Sequence, residues 1–224
     1  MFRILMALSL MAVGLLAWLP AIAQSPSPAP VEARSVLVMT VAGPINPVVA
    51  SYVDRGLRAA ADQGAEAAVI RLDTPGGLDS AMRDIIQDMV ASRIPVVVYV
   101  APQGARAASA GMFITVAAHV AAMAPDTAIG AAHPVGGGGE EIEGPMGDKV
   151  TNDAVAYARG LAAQRGRNVK WVEDAIRKSI SAPASEALEL KVVDVVAPSL
   201  EALLDDIDGR KVMVLGNETT LATE

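Results

Sequence analysis

Apolar positions along this chain fall into three patterns. One is a long, mainly apolar run, Ile4 to Leu19, behind the short positive start Met1-Phe-Arg3. The second is a set of short blocks, Val36–Val41, Ala67–Leu72, Pro95–Ala101 and Val120–Ala124, rich in Val, Ile and Ala and bounded by turn residues. Blocks of this length read as buried strands. The third is a spaced stripe, as in Leu78, Met82, Ile85, Ile86 and Met89, whose period predicts a helix over Leu78–Ser92. Helices are also predicted over Pro47–Gly64, opened by Asn46 and stopped at Gly64, and over Ala110–Ala118. A longer one runs from about Asp148 to Gln164, with Val150, Ala154, Tyr157 and Leu161 on its packing face. Lys170–Lys178 and Ser185–Leu190 read as helical pieces and Val192–Val196 as a strand, with Leu200–Ile207 and Lys211–Leu215 closing the domain. Strands alternating with helices predict an α/β domain with parallel pairing and strands covered on both faces.

Val135–Gly147 breaks the pattern. It holds Gly136 to Gly139, the acidic Glu140, Glu141 and Glu143, and Gly144-Pro145, which suit no regular element and predict a mobile surface loop. The N-terminal run is too short to span a bilayer comfortably and ends in Ala21-Ile22-Ala23, the pattern of a secretory signal peptide over residues 1–23. An uncleaved membrane anchor is the competing reading; either places the rest of the chain outside the cytoplasm. Residues 24–34 form a Pro-rich linker. The expected domain covers 35–215, and residues 216–224 a C-terminal tail.

Composition narrows the function. The formal charge of −7 makes nucleic acid an improbable partner. No cysteine is present, which removes disulfides and thiol catalysis. The two histidines, His119 and His133, have no second ligand at metal-motif spacing, so no metal is expected. An aromatic content of 3% argues against a surface that stacks sugars or bases.

Three features could carry chemistry. Ser109 follows a buried strand and a short turn of small residues and opens a helix, within Gly104-Ala-Arg-Ala-Ala-Ser-Ala-Gly111. Small neighbours give a carbonyl access to the hydroxyl, and the free N–H groups of a helix start could hold an oxyanion. A simple helix cap fits the same segment. Asp73-Thr-Pro-Gly-Gly77, between a strand and a helix, lets the backbone approach a ligand closely, and also suits a plain turn. Lys149, just behind the glycine-rich loop, is either a solvated surface lysine or a general base for Ser109, which requires a neutral amine in a desolvated pocket. His133 is a weaker candidate base, and His119 reads as structural.

Together, Leu72-Asp-Thr-Pro-Gly-Gly77, Ile94-Pro-Val-Val-Val-Tyr-Val100, Ala107-Ala-Ser-Ala-Gly111, Ala122-Met-Ala-Pro125, Ile129-Gly-Ala131, Lys149-Val-Thr-Asn152 and Glu186-Ala-Leu resemble the protease domain of the NfeD, or stomatin operon partner, family. The resemblance spans roughly residues 35 to 215. It implies a Clp-protease/crotonase-like superhelix of ββα units, related to signal peptide peptidase A. It further implies a Ser109–Lys149 catalytic dyad, an oxyanion hole from the N–H groups of Gly77 and Ala110, and substrate contacts at Gly76 and Gly111. The implied protein is an extracytoplasmic, membrane-associated serine endopeptidase. It uses no cofactor, forms a homo-oligomer such as a dimer, and cleaves apolar segments such as the C-terminal region of a stomatin-like partner. A non-catalytic peptide-binding scaffold is the alternative; a crotonase-type acyl-CoA enzyme is disfavoured by the signal peptide. Longer relatives continue into a membrane-spanning region and a small β-barrel. Lys191 stands where relatives usually carry glycine, which implies a strain of about 1 kcal/mol if its backbone is left-handed.

Overall fold

In a computed structural model describing residues 35–223, four of the five strands of one parallel sheet come from the apolar blocks. Residues 1–23 and 24–34, expected as leader and linker, lie outside the described residues. The sheet is built from β1 (Val36–Ala42), β2 (Ala67–Asp73), β3 (Val96–Val100), β5 (Val120–Met123) and β8 (Val195–Val196), in the order β1-β2-β3-β5-β8. Every pairing in it is parallel. Period-two alternation divides its side chains between two cores. Ala68, Ile70, Val96, Val98 and Met123 point into the larger one, against α1 (Pro47–Asp62), α2 (Asp79–Val90) and α3 (Ala110–Ala117). Val69, Val97, Tyr99 and Val120 point into the smaller one, with Leu203 and Ile207 of α7 (Leu200–Ile207). The remaining helices are α4 (Gly144–Gln164), α5 (Val169–Arg177) and α6 (Ala184–Glu189).

Several boundaries depart from the sequence reading. The turn expected ahead of Ser109 contains a strand, β4 (Arg106–Ala108). It pairs with β6 (Ala128–Gly130), which pairs antiparallel with β7 (Ser181–Pro183) to make a second, three-stranded sheet. Three-residue strands carry too little periodicity to announce themselves. Helix α4 begins at Gly144, not near Asp148, because Pro145 stands in the first turn, where its missing N–H costs nothing. The strand expected over Val192–Val196 shrinks to Val195–Val196. The segment expected as a tail is not free over its described residues, 216–223: β10 (Asn217–Thr220) pairs antiparallel with β9 (Lys211–Val214), and Leu221 is buried in the smaller core. Thr223 is fastened as well, its Oγ1 donating to the Leu204 carbonyl at 2.7 Å.

Candidate active site

Ser109 sits where the second sheet hands the chain to α3. Its backbone has φ 52° and ψ −117°, a region costing an L residue about 1–3 kcal/mol. Hydrogen bonds hold it there: Ser109 N–H donates to Gly130 O at 3.0 Å, and Met112 N–H to Ser109 O at 3.0 Å. The side chain makes no capping bond. The simple-cap reading therefore fails.

The Asp73–Gly77 turn is stitched to the same strand. Thr74 N–H donates to Arg106 O at 2.7 Å, and Ala108 N–H to Thr74 O at 3.1 Å. Buried Thr74, a residue that sequence reasoning did not single out, accepts the Gly76 N–H at Oγ1 (3.1 Å) and so shapes the turn. Gly77 runs alongside Ile45, with Ile45 N–H donating to Gly76 O and Leu78 N–H donating to Ile45 O. Among the described residues this pattern leaves the Gly77 N–H without a backbone acceptor, and the Ala110 N–H, first in α3, likewise.

Ser109, Gly77, Ala110 and Lys149 all line one groove of 1210 Å³. Lys149 projects from α4, is exposed, and has no ion pair among the described residues. His133 lines the groove too; its Nδ1 donates to Ile176 O at 3.0 Å, so its lone pair is on Nε2. His119 lies elsewhere, buried, with Nδ1 accepting from Val96 N–H at 3.1 Å. Gly76 and Gly111 do not line the groove. A Cβ on Gly76 would stand 2.6 Å from Ser109 Cβ, directly behind the serine, and one on Gly111 would stand 2.6 Å from Thr74 Cγ2 in the core. Both glycines are buried, and their lack of a side chain permits this close packing.

The groove is apolar at its rim. Leu78 (54% exposed), Val135 (53%) and Met146 (59%) open onto it from three different segments. Leu78, predicted on the buried stripe of α2, precedes that helix and faces the groove instead. Strain gathers here: of six non-glycine residues with positive φ among the described residues, Ser109, Ala131 and Ser179 line this groove. The loop ahead of α4 is a small hairpin, with Val135 bridged to Glu141 and Gly136 N–H donating to Glu140 O at 2.7 Å.

The far end of α3 is fastened by the segment that follows α4. Arg165 Nε donates to Ala117 O at 2.9 Å, and Arg167 Nη1 to Val116 O and Ala118 O at 2.6 and 2.8 Å. Buried Arg167 is neutralised by Asp194 at 2.6 Å. The segment carrying Lys149 near its start thus secures, at its end, the helix headed by Ser109. Among the described residues there is no cluster of three or more His, Asp or Glu suited to a metal, and no helix long and apolar enough to cross a membrane.

A parallel α/β domain with a strained serine, a free lysine and two unpaired N–H groups in one groove has the parts of an acyl-transfer site. The chain matches the NfeD1b N-terminal domain family over residues 35–203 and belongs to it. It is 41% identical over 189 residues to a membrane-bound protease of Pyrococcus horikoshii, covering 83% of this chain and 42% of that protein. It is 30% identical over 164 residues to membrane protein NfeD1b of Bacillus subtilis, covering 71% of this chain and 36% of that one. The chain therefore spans less than half the length of these relatives. Its fold matches the 1510-N membrane-bound stomatin-specific protease, solved as a lysine-to-alanine variant with a substrate peptide. That match has a TM-score of 0.81 and 40% identity and covers 85% of this chain and 89% of that one. A serine-to-alanine variant of that protease matches with the same TM-score and identity, covering 85% and 94%.

Proposed function

We propose that this chain is an extracytoplasmic, membrane-associated serine endopeptidase in which Ser109 and Lys149 form the catalytic dyad. The observation that carries the reading is Ser109 itself: a strained nucleophile with an unpartnered hydroxyl, sharing a groove with an unpaired lysine and two free N–H groups. The serine and lysine replaced in the related protease variants are a pair of the same kind.

Lys149 Nζ, in its neutral form, takes the Ser109 hydroxyl proton as Oγ bonds to the scissile carbonyl carbon. The resulting oxyanion is held by the N–H groups of Gly77 and Ala110. Collapse breaks the C–N bond, and Nζ returns the proton to the leaving amine. Lys149 then deprotonates a water, whose oxygen attacks the acyl carbon; the C–Oγ bond breaks, the carboxyl product leaves, and Nζ returns the proton to Ser109 Oγ. Lys149 is exposed in the unliganded groove, so its desolvation comes with the substrate. An apolar peptide lying against Leu78, Val135 and Met146, beneath the Val135–Glu141 hairpin as a lid, supplies that cover. The C-terminal region of a stomatin-like membrane protein is the proposed natural substrate, as the related protease is stomatin-specific. The successive units β3-β4-α3 and β5-β6-α4, each giving one strand to either sheet, support a Clp-protease/crotonase ββα superhelix. A homo-oligomer and a cleaved leader complete the proposal.

The test is hydrolysis of an apolar-rich peptide by the full chain beside Ser109→Ala, Lys149→Ala, Lys149→Arg and His133→Gln. The expected result is loss of turnover in the first three, with folding intact by circular dichroism, retention in the fourth, and wild-type turnover that rises with pH. Comparable turnover in Lys149→Arg and wild type rules out the dyad. Peptide binding without turnover by the wild type at any pH favours the scaffold.

A further inference from the structure

Lys149 is followed one helical turn later by Asp153, a spacing that brings the two side chains onto one face of α4. Both line the groove. An ion pair between them would hold the amine protonated and unfit to accept a proton. The structure shows Asp153 otherwise engaged. Arg83, from α2, bonds Asp153 Oδ2 through Nη2 at 2.5 Å and Asp79 Oδ2 through Nε at 2.8 Å. Despite partial burial, which opposes its charge, Asp79 and Asp153 hold Arg83 above the ordinary arginine range.

Its placement goes further than one carboxylate. The Arg83 guanidinium lies 4.4 Å from the centre of the Tyr157 ring on α4, a cation–π distance. Tyr157 in turn stacks on Phe113 of α3, centroids 6.3 Å apart. One arginine thus joins the helix that follows Gly77, the helix headed by Ser109 and the helix that carries Lys149.

We propose that Arg83 is a positioning residue for the dyad: by engaging Asp153 it keeps the carboxylate off Lys149 and leaves the amine free for Ser109. This rests on the dyad reading above. Lys149 shares the groove with Asp79 and Arg83 of α2, His133 of the segment after β6, and Asp153 of its own helix. Asp148 adjoins it in sequence, while Glu140, Glu141 and Glu143 belong to the preceding hairpin segment. On α5, which packs against α4, Glu173 pairs with Arg177 and Arg159, and Arg177 bonds Asn152. Among the groove carboxylates, Asp79 and Asp153 both belong to Arg83.

The test combines two readouts on the full chain: the pH–rate profile for an apolar-rich peptide, and the Lys149 titration followed by the 13Cε chemical shift of labelled lysine. The panel is wild type, Arg83→Gln, Asp153→Asn and the double variant, with Lys149→Arg assigning the resonance. In Arg83→Gln the freed Asp153 pairs with Lys149, so the titration midpoint and the acid limb of the profile move up by about half a pH unit. That is about a threefold loss of turnover on that limb, the scale of a partly exposed ion pair. In the double variant both return to the Asp153→Asn position. A midpoint that Arg83→Gln leaves in place, or moves without restoration in the double variant, overturns the assignment. A uniform fall in turnover at every pH, with no shift in midpoint, also overturns it and leaves Arg83 a merely structural tie. Wild type without Ser109-dependent turnover refutes the dyad reading instead, and the titration still decides what Arg83 does to Lys149.

Discussion

Replacing Gly76 by alanine tests whether the backbone behind Ser109 sets the nucleophile. Gly76 has φ +114°, outside the regions an L residue enters without strain. Holding alanine there costs about 1–3 kcal/mol. The new Cβ would also stand 2.6 Å from Ser109 Cβ, 3.1 Å from Ser109 Oγ and 3.4 Å from Ala108 O. Relieving such a contact in a tight wall costs about another 1–3 kcal/mol. The sum, about 2–6 kcal/mol, lies within the stability of most domains of this size, so a folded variant is expected at low temperature. If the serine yields, it moves relative to Lys149; if the turn yields, the adjoining Gly77 N–H moves relative to the serine. A displacement of about 1 Å at the reacting atom costs about 100-fold in rate. Urea unfolding by circular dichroism and kcat/KM on an apolar-rich peptide measure the two effects separately. Gly160→Ala is the control, since a Cβ there meets nothing within 4 Å and alanine is the better helix former. A Gly76→Ala chain with wild-type stability and wild-type kcat/KM would falsify the idea that this glycine braces the serine.

Three further expectations concern stability. Burial, followed by the charges of Arg165 and Arg167, lowers His119 from 6.5 to about 4, and the Val96 N–H donating into Nδ1 has nothing to accept it in an imidazolium. The fold therefore binds the His119 proton more weakly than the unfolded chain does. Stability from this group is complete above pH 6.5 and declines below it, by about 2.5 kcal/mol at pH 4.5. His119→Gln should flatten the slope of urea midpoint against pH over that window, and an unchanged slope contradicts the assignment. Asp194→Ala strands Arg167, which is 5% exposed and whose Nε already lacks an acceptor, and should cost about 3–5 kcal/mol. A loss under about 1 kcal/mol would show the buried charge is met by solvent or by another group. Lys191 takes the left-handed conformation, with φ +57° after α6, so the condition for strain there is met. Lys191→Gly should raise Tm by about 3 °C, through relief of about 1 kcal/mol, and a lowered Tm would contradict the strain argument.

The strands of the main sheet, β8 among them although the expected Val192–Val196 overran it, and the long helices were legible because each is written in its own neighbourhood. Val96–Val100 is a continuous apolar run, Met82 to Met89 a helical stripe, and Asn46 a capping residue whose Oδ1 accepts from Val48 N–H at 2.9 Å. The family motifs brought Ser109, Lys149 and Gly77 forward for the same reason, as short strings with chemistry in them. The second sheet was not legible, because β4, β6 and β7 are three residues each and gain their meaning only by pairing across the chain. Nor was the charge trio Asp79–Arg83–Asp153. The i,i+4 spacings of Asp79 with Arg83 and of Lys149 with Asp153 were visible, but which partner Asp153 takes depends on where α2 lies against α4.

What the sequence determined by itself is therefore local: which stretches bury, which turn, and which side chains carry a reactive atom. Tertiary structure decided the rest. Hydrogen bonds from Ser109 N–H to Gly130 O and from Ala108 N–H to Thr74 O tie the serine to segments distant in the chain and hold it in a conformation its own torsional preference opposes. The packing of α2, α3 and α4 places Gly77, Ser109 and Lys149 around one groove. Periodicity reports which face of an element is buried, and only packing reports against what, because the free energy of a long-range contact resides in the pair and in neither segment alone.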